Sequence, residues 1–362
     1  MTERAAGRQR IGVVAEQLAM RPWAAAGLAV SGVLVLGAAL VGLVYGGAAM
    51  HAFWAGSVGT WYALTSGTLV RAVPLILTGL GVAIAFRAGV FNIGAEGQLL
   101  AGAIAATYVG LRGAGALGAA TLPLALLAGA AAGAAWAGVA ALLRARFGIL
   151  EVISTLMLNF VAADLVSYLV RGPLQEPLHI YPQSATLPSI ARLPHFGPST
   201  RLHWGLVLAV VLALIVWWVL VRTAAGFQLR VVGANPFAAA ATGRISVTRV
   251  TTHAFLISGG LAGLAGAVEV TAVTYALYDN LSPGYGFTAI AVAILAGLHP
   301  LGVLCTGFLF AALETGATAM QRDAGVPAAW ASAIEAALIL AIIAGVALRT
   351  RASNLARGGS EE

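Results

Sequence analysis

The chain alternates long apolar stretches with short breaks that contain arginine or proline. A transmembrane helix needs about 20 mostly apolar residues. The pattern predicts about ten spans, near residues 24–46, 60–86, 94–111, 117–143, 150–170, 204–222, 251–274, 285–298, 301–321 and 328–348. The eighth is too short to cross comfortably, so we expect a re-entrant segment or half of a broken helix, with its backbone covered by protein or water. The sequence thus predicts an all-α polytopic membrane protein.

The distribution of arginine predicts the orientation of these spans, because loops rich in Lys or Arg stay on the cytoplasmic side. Arginines cluster in residues 1–22, at the break near 144–146, in the loop 223–250 and in residues 349–362. We therefore expect two cytoplasmic tails, 1–22 and 349–362, on either side of a transmembrane domain over 23–348. The segment 171–203 then lies outside. Its prolines and histidines indicate an irregular external loop, either a surface for a partner or a solvated connector.

Composition supports a membrane protein, since 60% of residues are hydrophobic, 9% are charged and the mean hydropathy is +0.92. Small residues let helices approach closely in lipid, and Gly129/Gly133 and Gly259/Gly263 have the required spacing. The net charge of +7 is spread over loops that would face anionic membrane lipid, so we do not predict a nucleic-acid partner. A single cysteine, Cys305, excludes an internal disulfide, and the six histidines show no metal-binding spacing.

The absence of lysine excludes the common ATP-hydrolysing site. All 20 basic residues are arginines. A Walker A loop uses lysine to reach the β- and γ-phosphates, and Schiff-base catalysis also needs one. The HExxH and GxSxG signatures of zinc proteases and serine hydrolases are missing too. We therefore predict a transport protein that is not an enzyme, with no catalytic residues, no metal site and no ATPase motif of its own.

Polar residues at membrane depth are the candidates for transport, because an ionisable group there costs about 2.5 to 3.5 kcal/mol even on insertion-based scales. They are Glu96, Glu151, Asp164, Glu269, Glu314 and Glu335, with Asn92, Gln98 and Asn159 as neutral partners. Asn92 is suited to cap a helix that starts near Ile93, which puts Glu96 in the first turn, where the helix dipole favours a carboxylate. This capping role does not exclude a role in transport, because a helix that begins inside the membrane directs its free N–H groups at a passing solute.

Several long segments resemble one family of transport proteins. They are "AFRAGVFNIGAEGQLLAGA" from Ala85, "EVISTLMLNFVAADLVSYLVRGPLQEP" from Glu151, "RTAAGFQLRVVGANPFAAAATGRISVTR" from Arg222, "AFLISGGLAGLAGAVEV" from Ala254, "GYGFTAIAVAILAGLHPLGVL" from Gly284 and "MQRDAGVP" from Met320. In content and order they are similar to the membrane permeases of bacterial ABC importers for simple sugars, nucleosides and branched-chain amino acids, above all to the nucleoside-uptake branch. The resemblance covers nearly the whole chain after the first span.

This resemblance implies a permease fold like that of type II ABC importers, in the bacterial inner membrane. It implies a heterodimer with a second, shorter homologous permease, two cytoplasmic ATP-binding cassette domains that use ATP, and an extracytoplasmic substrate-binding lipoprotein. It implies no cofactor bound by this chain. Selectivity would rest chiefly with the binding protein, so a purine nucleoside, a pyrimidine nucleoside and a sugar all remain open.

The loop 223–250 contains a short predicted helix. Asn235 fits its N-cap, Pro236 its first turn and Gly243 its stop. By itself this pattern is more typical of an ordinary amphipathic connector. Given the resemblance, we assign it as the coupling helix that seats in a groove of the ATPase. The predicted coupling residues are Arg230, Asn235, Pro236, Phe237, Gly243, Arg244 and Arg249.

The predicted substrate pathway consists of Phe91, Asn92, Glu96, Asn159, Glu269, Tyr285 and Phe287. A nucleoside offers a flat ring for aromatic contact and hydroxyls for amide or carboxylate acceptors. The alternative is that the polar groups hold helices together and that the aromatic residues belong to an interfacial belt. Two other classes stay open. An ion-coupled secondary transporter would need no ATPase, and a membrane-embedded enzyme would need a nucleophile and base that the sequence does not supply.

Overall fold

The computed structural model describes residues 22–327, 329–330, 332–334, 336–337 and 340. In this part of the chain the regular elements are helices, accompanied by three isolated β-bridges. Seven helical runs there are long and apolar enough to cross a membrane. They are Val35–Gly59, Trp61–Arg87, Gly118–Phe147, Glu151–Val170, Gly205–Arg222, Val247–Thr274 and Pro300–Ala324. The predicted N-terminal tail except residue 22, the C-terminal tail and most of the span 328–348 lie outside the described residues.

The longer helices define the labels used below. They are α1 (Pro22–Trp54), α2 (Leu69–Arg87), α3 (Ala95–Gly113), α4 (Thr121–Phe147), α5 (Glu151–Val170), α6 (Gly205–Arg222), α7 (Ala224–Ala234), α8 (Pro236–Ala241), α9 (Val247–Glu269), α10 (Tyr285–Leu295) and α11 (Pro300–Ala324). Two π-helical turns, Ala55–Gly59 and Leu64–Thr68, and a short helix, Trp61–Ala63, precede α2. A third π-helical turn, Val270–Thr274, continues α9.

The expected ten spans are not confirmed, because two of the predicted spans form helices that are less apolar or shorter than the seven membrane-spanning candidates. The stretch 94–111 is the helix α3, whose mean hydropathy is lowered by Glu96, Gln98 and several glycines, so that it is not among the seven apolar runs. The stretch 285–298 is α10, with only 11 residues. It is separated from the end of α9 by residues 275–284, which form no helix. Its short length is that expected for a re-entrant segment or half of a broken helix, and this assignment stays a prediction.

The chain divides into two compact units, and the smaller consists of residues up to Gly56 and from Gly316 on. Within it, α1 is kinked at Gly46, where φ is 77°. The Trp330 indole N–H donates to the Tyr45 hydroxyl at 3.1 Å, and the two rings meet edge to face. A small apolar core forms around these contacts from Val41, Ala49, Ala52, Ala317, Met320 and Val326.

The larger unit, Ser57–Thr315, is built around α9, which packs against α2, α3 and α4. Glycines allow these helices to touch through their backbones. A Cβ on Gly133 would lie 2.3 Å from the Gly259 carbonyl oxygen, and a Cβ on Gly263 would lie 2.3 Å from the Gly129 carbonyl oxygen. The two glycine pairs singled out by their spacing thus form the contact between α4 and α9. Such close approach maximises dispersion contacts where lipid gives no hydrophobic drive.

The segment 171–203 is irregular, as predicted, and it is packed along residues 271–278 of the same unit. The backbone N–H of Ser184 donates to Leu277 O at 2.7 Å, and that of Leu187 donates to Tyr275 O at 2.7 Å. Leu187 and Leu193 are buried. The inner side of the segment therefore belongs to the folded core, and a purely solvated connector is the wrong description.

Candidate functional site

The turn between α2 and α3 starts the polar stretch that the sequence singled out. After Arg87 the chain reverses at Gly89, where φ is 71°, and α3 begins at Ala95 with Gly94 as its N-cap. The prediction of a helix from Ile93 capped by Asn92 is therefore wrong by two residues. Asn92 Oδ1 accepts the N–H of Gly94 at 3.0 Å and so closes an Asx turn before the helix. Glu96 lies in the first turn, as predicted.

Asn92 is fully buried and has partners for both ends of its amide. Its Nδ2 donates to Gln98 Oε1 and to Ser258 Oγ, each at 2.9 Å. Its Oδ1 accepts from Gln98 Nε2, also at 2.9 Å. This reciprocal amide pair, extended by Ser258 on α9, joins the start of α3 to the central helix. Buried amides require such pairing because an unpaired one costs free energy.

Asn159 on α5 performs a similar function from the other side. Its Oδ1 accepts the N–H of Gly97 at 2.8 Å, and its Nδ2 donates to the Ile93 carbonyl at 2.9 Å. A Cβ on Gly97 would lie 2.9 Å from the Leu158 carbonyl oxygen, so the helices meet where only glycine fits. Asn159 thus supplies an acceptor for an N–H group in the first turn of α3, which the helix itself leaves unpaired.

Glu96 connects α3 to α10. Its Oε2 accepts the N–H of Gly286 at 2.7 Å, and the Ser282 hydroxyl also hydrogen-bonds to its carboxylate. A Cβ on Gly286 would lie 2.2 Å from the Glu96 backbone nitrogen. The carboxylate therefore sits at the N-terminus of α10, where the helix dipole favours a negative charge. We call the group Asn92, Glu96, Gln98, Asn159, Ser258 and Gly286 the junction.

Glu269 and Tyr285 lie next to the junction. Glu269 is the last residue of α9, Tyr285 is the first of α10, and both are buried. Arg71 and Arg201 interact electrostatically with Glu269. Glu269 and Arg71 interact electrostatically with Tyr285. Tyr285 directly precedes Gly286, whose N–H the Glu96 carboxylate accepts.

The two phenylalanines of the predicted pathway lie outside this network. Phe91 is 55% exposed and its ring meets Phe86 edge to face, with centroids 5.2 Å apart. Phe287 is 45% exposed. The structure therefore brings Asn92, Glu96 and Asn159 together at the start of α3, with Tyr285 next to Gly286 in α10 and Glu269 at the buried end of α9. Sequence reasoning missed Ser258 and Gly286, which have no local signal because their partners are 166 and 190 positions away.

The short helix predicted in the loop 223–250 is present as α8. Asn235 is its N-cap, with Oδ1 accepting the N–H groups of Phe237 and Ala238 at 3.0 Å each. Pro236 is its first residue, and Gly243 follows the helix with φ at 65°. Phe237 is 86% exposed. Arg244 and Arg249 are exposed as well, whereas Arg230 is half-buried. The preceding helix α7, on which Arg230 lies, was not predicted.

Helix α7 packs directly on the end of α2. A Cβ on Gly233 would lie 1.9 Å from the Arg87 carbonyl oxygen and 3.2 Å from the Gly89 nitrogen. The Arg87 side chain in turn donates through Nε to Leu298 O, just after α10, at 2.8 Å. The backbone of the loop 223–250 therefore contacts the turn between α2 and α3. Asn92 lies in that turn, five residues after Arg87.

Comparison with known proteins agrees with the resemblance seen in the sequence. The family model described as "Branched-chain amino acid transport system / permease component" matches residues 64–343. The glucose ABC transporter permease protein TsgB13 of Haloferax volcanii is 43% identical over 76% of this chain and 74% of its own length. The guanosine ABC transporter permease proteins NupP and NupQ of Bacillus subtilis are 38% and 31% identical, over 85% and 68% of this chain and 89% and 79% of their own lengths.

No solved structure matches this chain. The family model covers well over half of the residues, including the junction and the loop 223–250. The chain therefore belongs to the family of permease components of branched-chain amino acid transport systems.

Proposed function

We propose that this chain is the permease subunit of an ATP-driven ABC importer of nucleosides. The observation that carries the proposal is the similarity to the guanosine permease NupP, which extends over 85% of this chain and 89% of that protein. A match of this length includes both the junction and the α7–α8 loop. In this proposal the chain binds no cofactor, because the ATP is used by partner subunits.

The proposed pathway runs past Glu269, Tyr285, Glu96, Asn92 and Asn159, with the exposed rings of Phe91 and Phe287 beside it. Glu96 now accepts the N–H of Gly286. If α10 moves away from α3, the carboxylate and the first N–H groups of α10 lose each other as partners. They then offer an acceptor and donors to nucleoside hydroxyls, as in transporters that use broken helices. Closing restores the contact and releases the solute.

The proposed coupling route begins at the exposed face of the α7–α8 loop. Its residues are Arg230, Asn235, Pro236, Phe237, Gly243, Arg244 and Arg249. Phe237, at 86% exposure, is a large apolar side chain with no cover in the larger unit, and an aromatic anchor flanked by arginines suits a partner groove. A push on this loop reaches the α2–α3 turn through the Gly233–Arg87 contact. The turn then moves the start of α3, and with it the junction.

The proposed assembly contains a second homologous permease, two ATP-binding cassette domains and an extracytoplasmic substrate-binding lipoprotein. The similarity of one chain to both NupP and NupQ, two guanosine permease proteins of one organism, supports a pair of related permeases. We place the assembly in the bacterial inner membrane, with both termini and the loop 223–250 on the cytoplasmic side, as the arginine distribution favours.

One observation favours a second candidate solute. The glucose permease TsgB13 is 43% identical to this chain, a higher value than that of NupP, although over less of both chains. A simple sugar also offers hydroxyls to Glu96, Asn92 and Asn159. It lacks the flat heterocycle for which Phe91 and Phe287 are suited.

Uptake by the purified transporter tests the proposal. The complex is isolated through a tag on this chain, reconstituted with trapped ATP and supplied with its binding protein, and uptake of labelled inosine, uridine and glucose is measured. We expect ATP-dependent uptake of at least one nucleoside. If glucose alone is taken up, the nucleoside assignment is wrong and the solute is a simple sugar. Accumulation by the isolated chain under an ion gradient, without ATPase subunits, would overturn the ABC mechanism.

A further inference from the structure

An open cavity lies in the larger unit, among residues that are not part of the junction. A cavity of about 600 Å³ is bounded by the segment 195–201 and by the chain just after α9. Its walls include His195, Thr200, Arg201, Val273 and Tyr275. None of these residues is in the predicted substrate pathway. Ligand sites commonly have volumes of about 300 to 1,000 Å³, so this one is large enough for a nucleoside.

The walls of the cavity are held by hydrogen bonds. Tyr275 has a left-handed backbone with φ at 56°, which is unusual for an aromatic residue. Two bonds fix it there, since its N–H donates to Val270 O at 2.9 Å and its carbonyl accepts the Leu187 N–H at 2.7 Å. On the other wall, the Arg201 N–H donates to Ser66 Oγ at 3.1 Å. A strained residue held by its surroundings is a recurrent feature of binding sites.

The lining groups suit a flat heterocycle that carries hydroxyls. The Tyr275 hydroxyl and His195 Nε2 are 3.2 Å apart, so the phenol ring and the imidazole contact each other through their polar atoms. The Arg192 guanidinium lies 4.7 Å from the Tyr275 ring centroid and orients it by a cation–π contact. Thr200 and Arg201 on the cavity wall supply a hydroxyl and a planar donor. Aromatic contact with a few convergent polar groups is the usual composition of a small-molecule site.

The cavity also adjoins the proposed pathway. The charge of Arg201, on its wall, acts on Glu269. Val273 and Tyr275 follow Glu269 by four and six residues, through the π-helical turn. From Glu269 the pathway continues to Tyr285, on which the charge of Glu269 acts. The π-helical turn Val270–Thr274 therefore links the cavity wall to Glu269 along the chain.

We propose that this cavity, between residues 195–201 and Tyr275, is an entry site that holds a nucleoside before it reaches Glu269. The inference rests on the proposed nucleoside importer. Tyr275 contacts the base, whereas Thr200 and Arg201 bind hydroxyls. The site receives the solute before transport begins.

Protection of an introduced thiol tests the entry site without relying on transport. The native thiol is removed by Cys305→Ser, and Pro198→Cys places a new one on the cavity wall at a residue to which the proposal assigns no contact with the solute. Gly197→Cys is a second position in case the first variant fails to fold. The complete transporter in lipid nanodiscs is treated with a maleimide in the presence of millimolar inosine, uridine or glucose, and the labelling rate is measured. Gly115→Cys, at an exposed loop position with open space around it, is the matched control.

We expect a nucleoside to slow labelling at position 198 or 197 at least fivefold, with no change at position 115. Adding Arg201→Gln should raise the protecting concentration about tenfold, and Arg201→Lys should raise it less because the charge is kept. If a nucleoside does not slow labelling although the transporter still imports nucleosides, the entry site is wrong and the proposed function is unaffected. Protection by glucose only, together with glucose uptake only, overturns the nucleoside assignment of both proposals.

Discussion

The starts of α8 and α10 use the same chemistry in opposite surroundings. Asn235 is exposed and accepts two N–H groups of the helix that it begins, α8. Glu96 is only 8% exposed and accepts the N–H of Gly286 in α10, a helix 190 positions away. In each case an oxygen satisfies backbone donors that the helix leaves unpaired.

The difference between the two starts lies in what replaces a lost acceptor. Water reaches the exposed start of α8, so the loss of Asn235 costs only the advantage of a good cap, about 1 kcal/mol. No bulk water surrounds Glu96 or Asn92, so a lost acceptor there leaves a buried donor unpaired. The comparison therefore predicts that substitutions in the junction lower the stability of the protein strongly, whereas loss of the α8 cap lowers it only slightly. The following experiments test this difference.

The largest effect is expected for Gly286→Ala. The new Cβ would lie 2.2 Å from the Glu96 backbone nitrogen, so α10 must shift away from α3. We expect a loss of about 3 kcal/mol in stability, and a fall in nucleoside uptake of more than tenfold. Both are measured on the reconstituted transporter, by thermal unfolding and by labelled uptake. Gly115→Ala, in open space, should match the wild type. Normal uptake by Gly286→Ala would mean that the close approach is dispensable.

A smaller loss is expected for Asn92→Ala. The substitution removes the hydrogen-bond partner of both the amide oxygen and the amide nitrogen of Gln98, and one partner of the Ser258 hydroxyl. All three side chains are buried. We expect a loss of about 2 kcal/mol, the usual cost of a buried polar group without its partner. The melting temperature measures it. Asn92→Ala with Gln98→Leu should recover part of the loss, since both partners are then removed. If the double variant is no more stable than the single one, the amide pair does not explain the effect.

His203 extends the comparison to a third helix start. Its Nδ1 accepts the N–H of Gly205, which begins α6, and its ring is fully buried. Burial, together with the charges of His195 and Arg201, lowers the pKa of His203 from 6.5 to about 4. The unfolded chain therefore binds this proton at a higher pH than the folded chain. Stability is complete above pH 6.5 and falls as the pH drops toward 4.

At pH 5 the expected loss from His203 is about 2 kcal/mol relative to pH 7. It is measured as the difference in melting temperature between the two pH values. His203→Phe lowers the stability at pH 7 because Gly205 loses its acceptor, but it should make the difference between the two pH values smaller. An equal pH effect in both proteins would assign the acid sensitivity to other groups.

The smallest effect on stability is expected for Asn235→Ala, about 1 kcal/mol or less. Because α8 is exposed, this variant should insert and fold like the wild type. Uptake should nevertheless fall severalfold while the partner ATPase continues to turn over, since the helix start that faces the partner is no longer fixed. Asn235→Asp keeps an acceptor and should restore uptake. A destabilisation equal to that of Asn92→Ala would remove the contrast between the two helix starts.

Local pattern predicted those parts of the fold that depend on neighbours in the sequence. The apolar stretches predicted helices such as α5 and α6 within one or two residues of their observed bounds. The sequence Asn235-Pro236 predicted the start of α8, because a cap and the N–H groups that it accepts lie within three positions. The helix α7 was missed, because its polar and glycine residues resemble those of a connector.

The candidate site was predicted only in part, for the same reason. The residue types at membrane depth pointed to Asn92, Glu96 and Asn159, since buried polar groups there are costly and need partners. Which partners they have was not readable. The amide of Asn92 could have faced a solute, and only the packed structure pairs it with Gln98 and Ser258.

The sequence by itself therefore determined that this chain forms long apolar helices and contains no lysine, because hydropathy and residue content are properties of composition and order. Only the tertiary structure decided which helix starts meet inside the protein and that α7 rests on Arg87. Those contacts join residues far apart in the chain, and their geometry depends on glycines whose missing side chains matter only once two backbones touch.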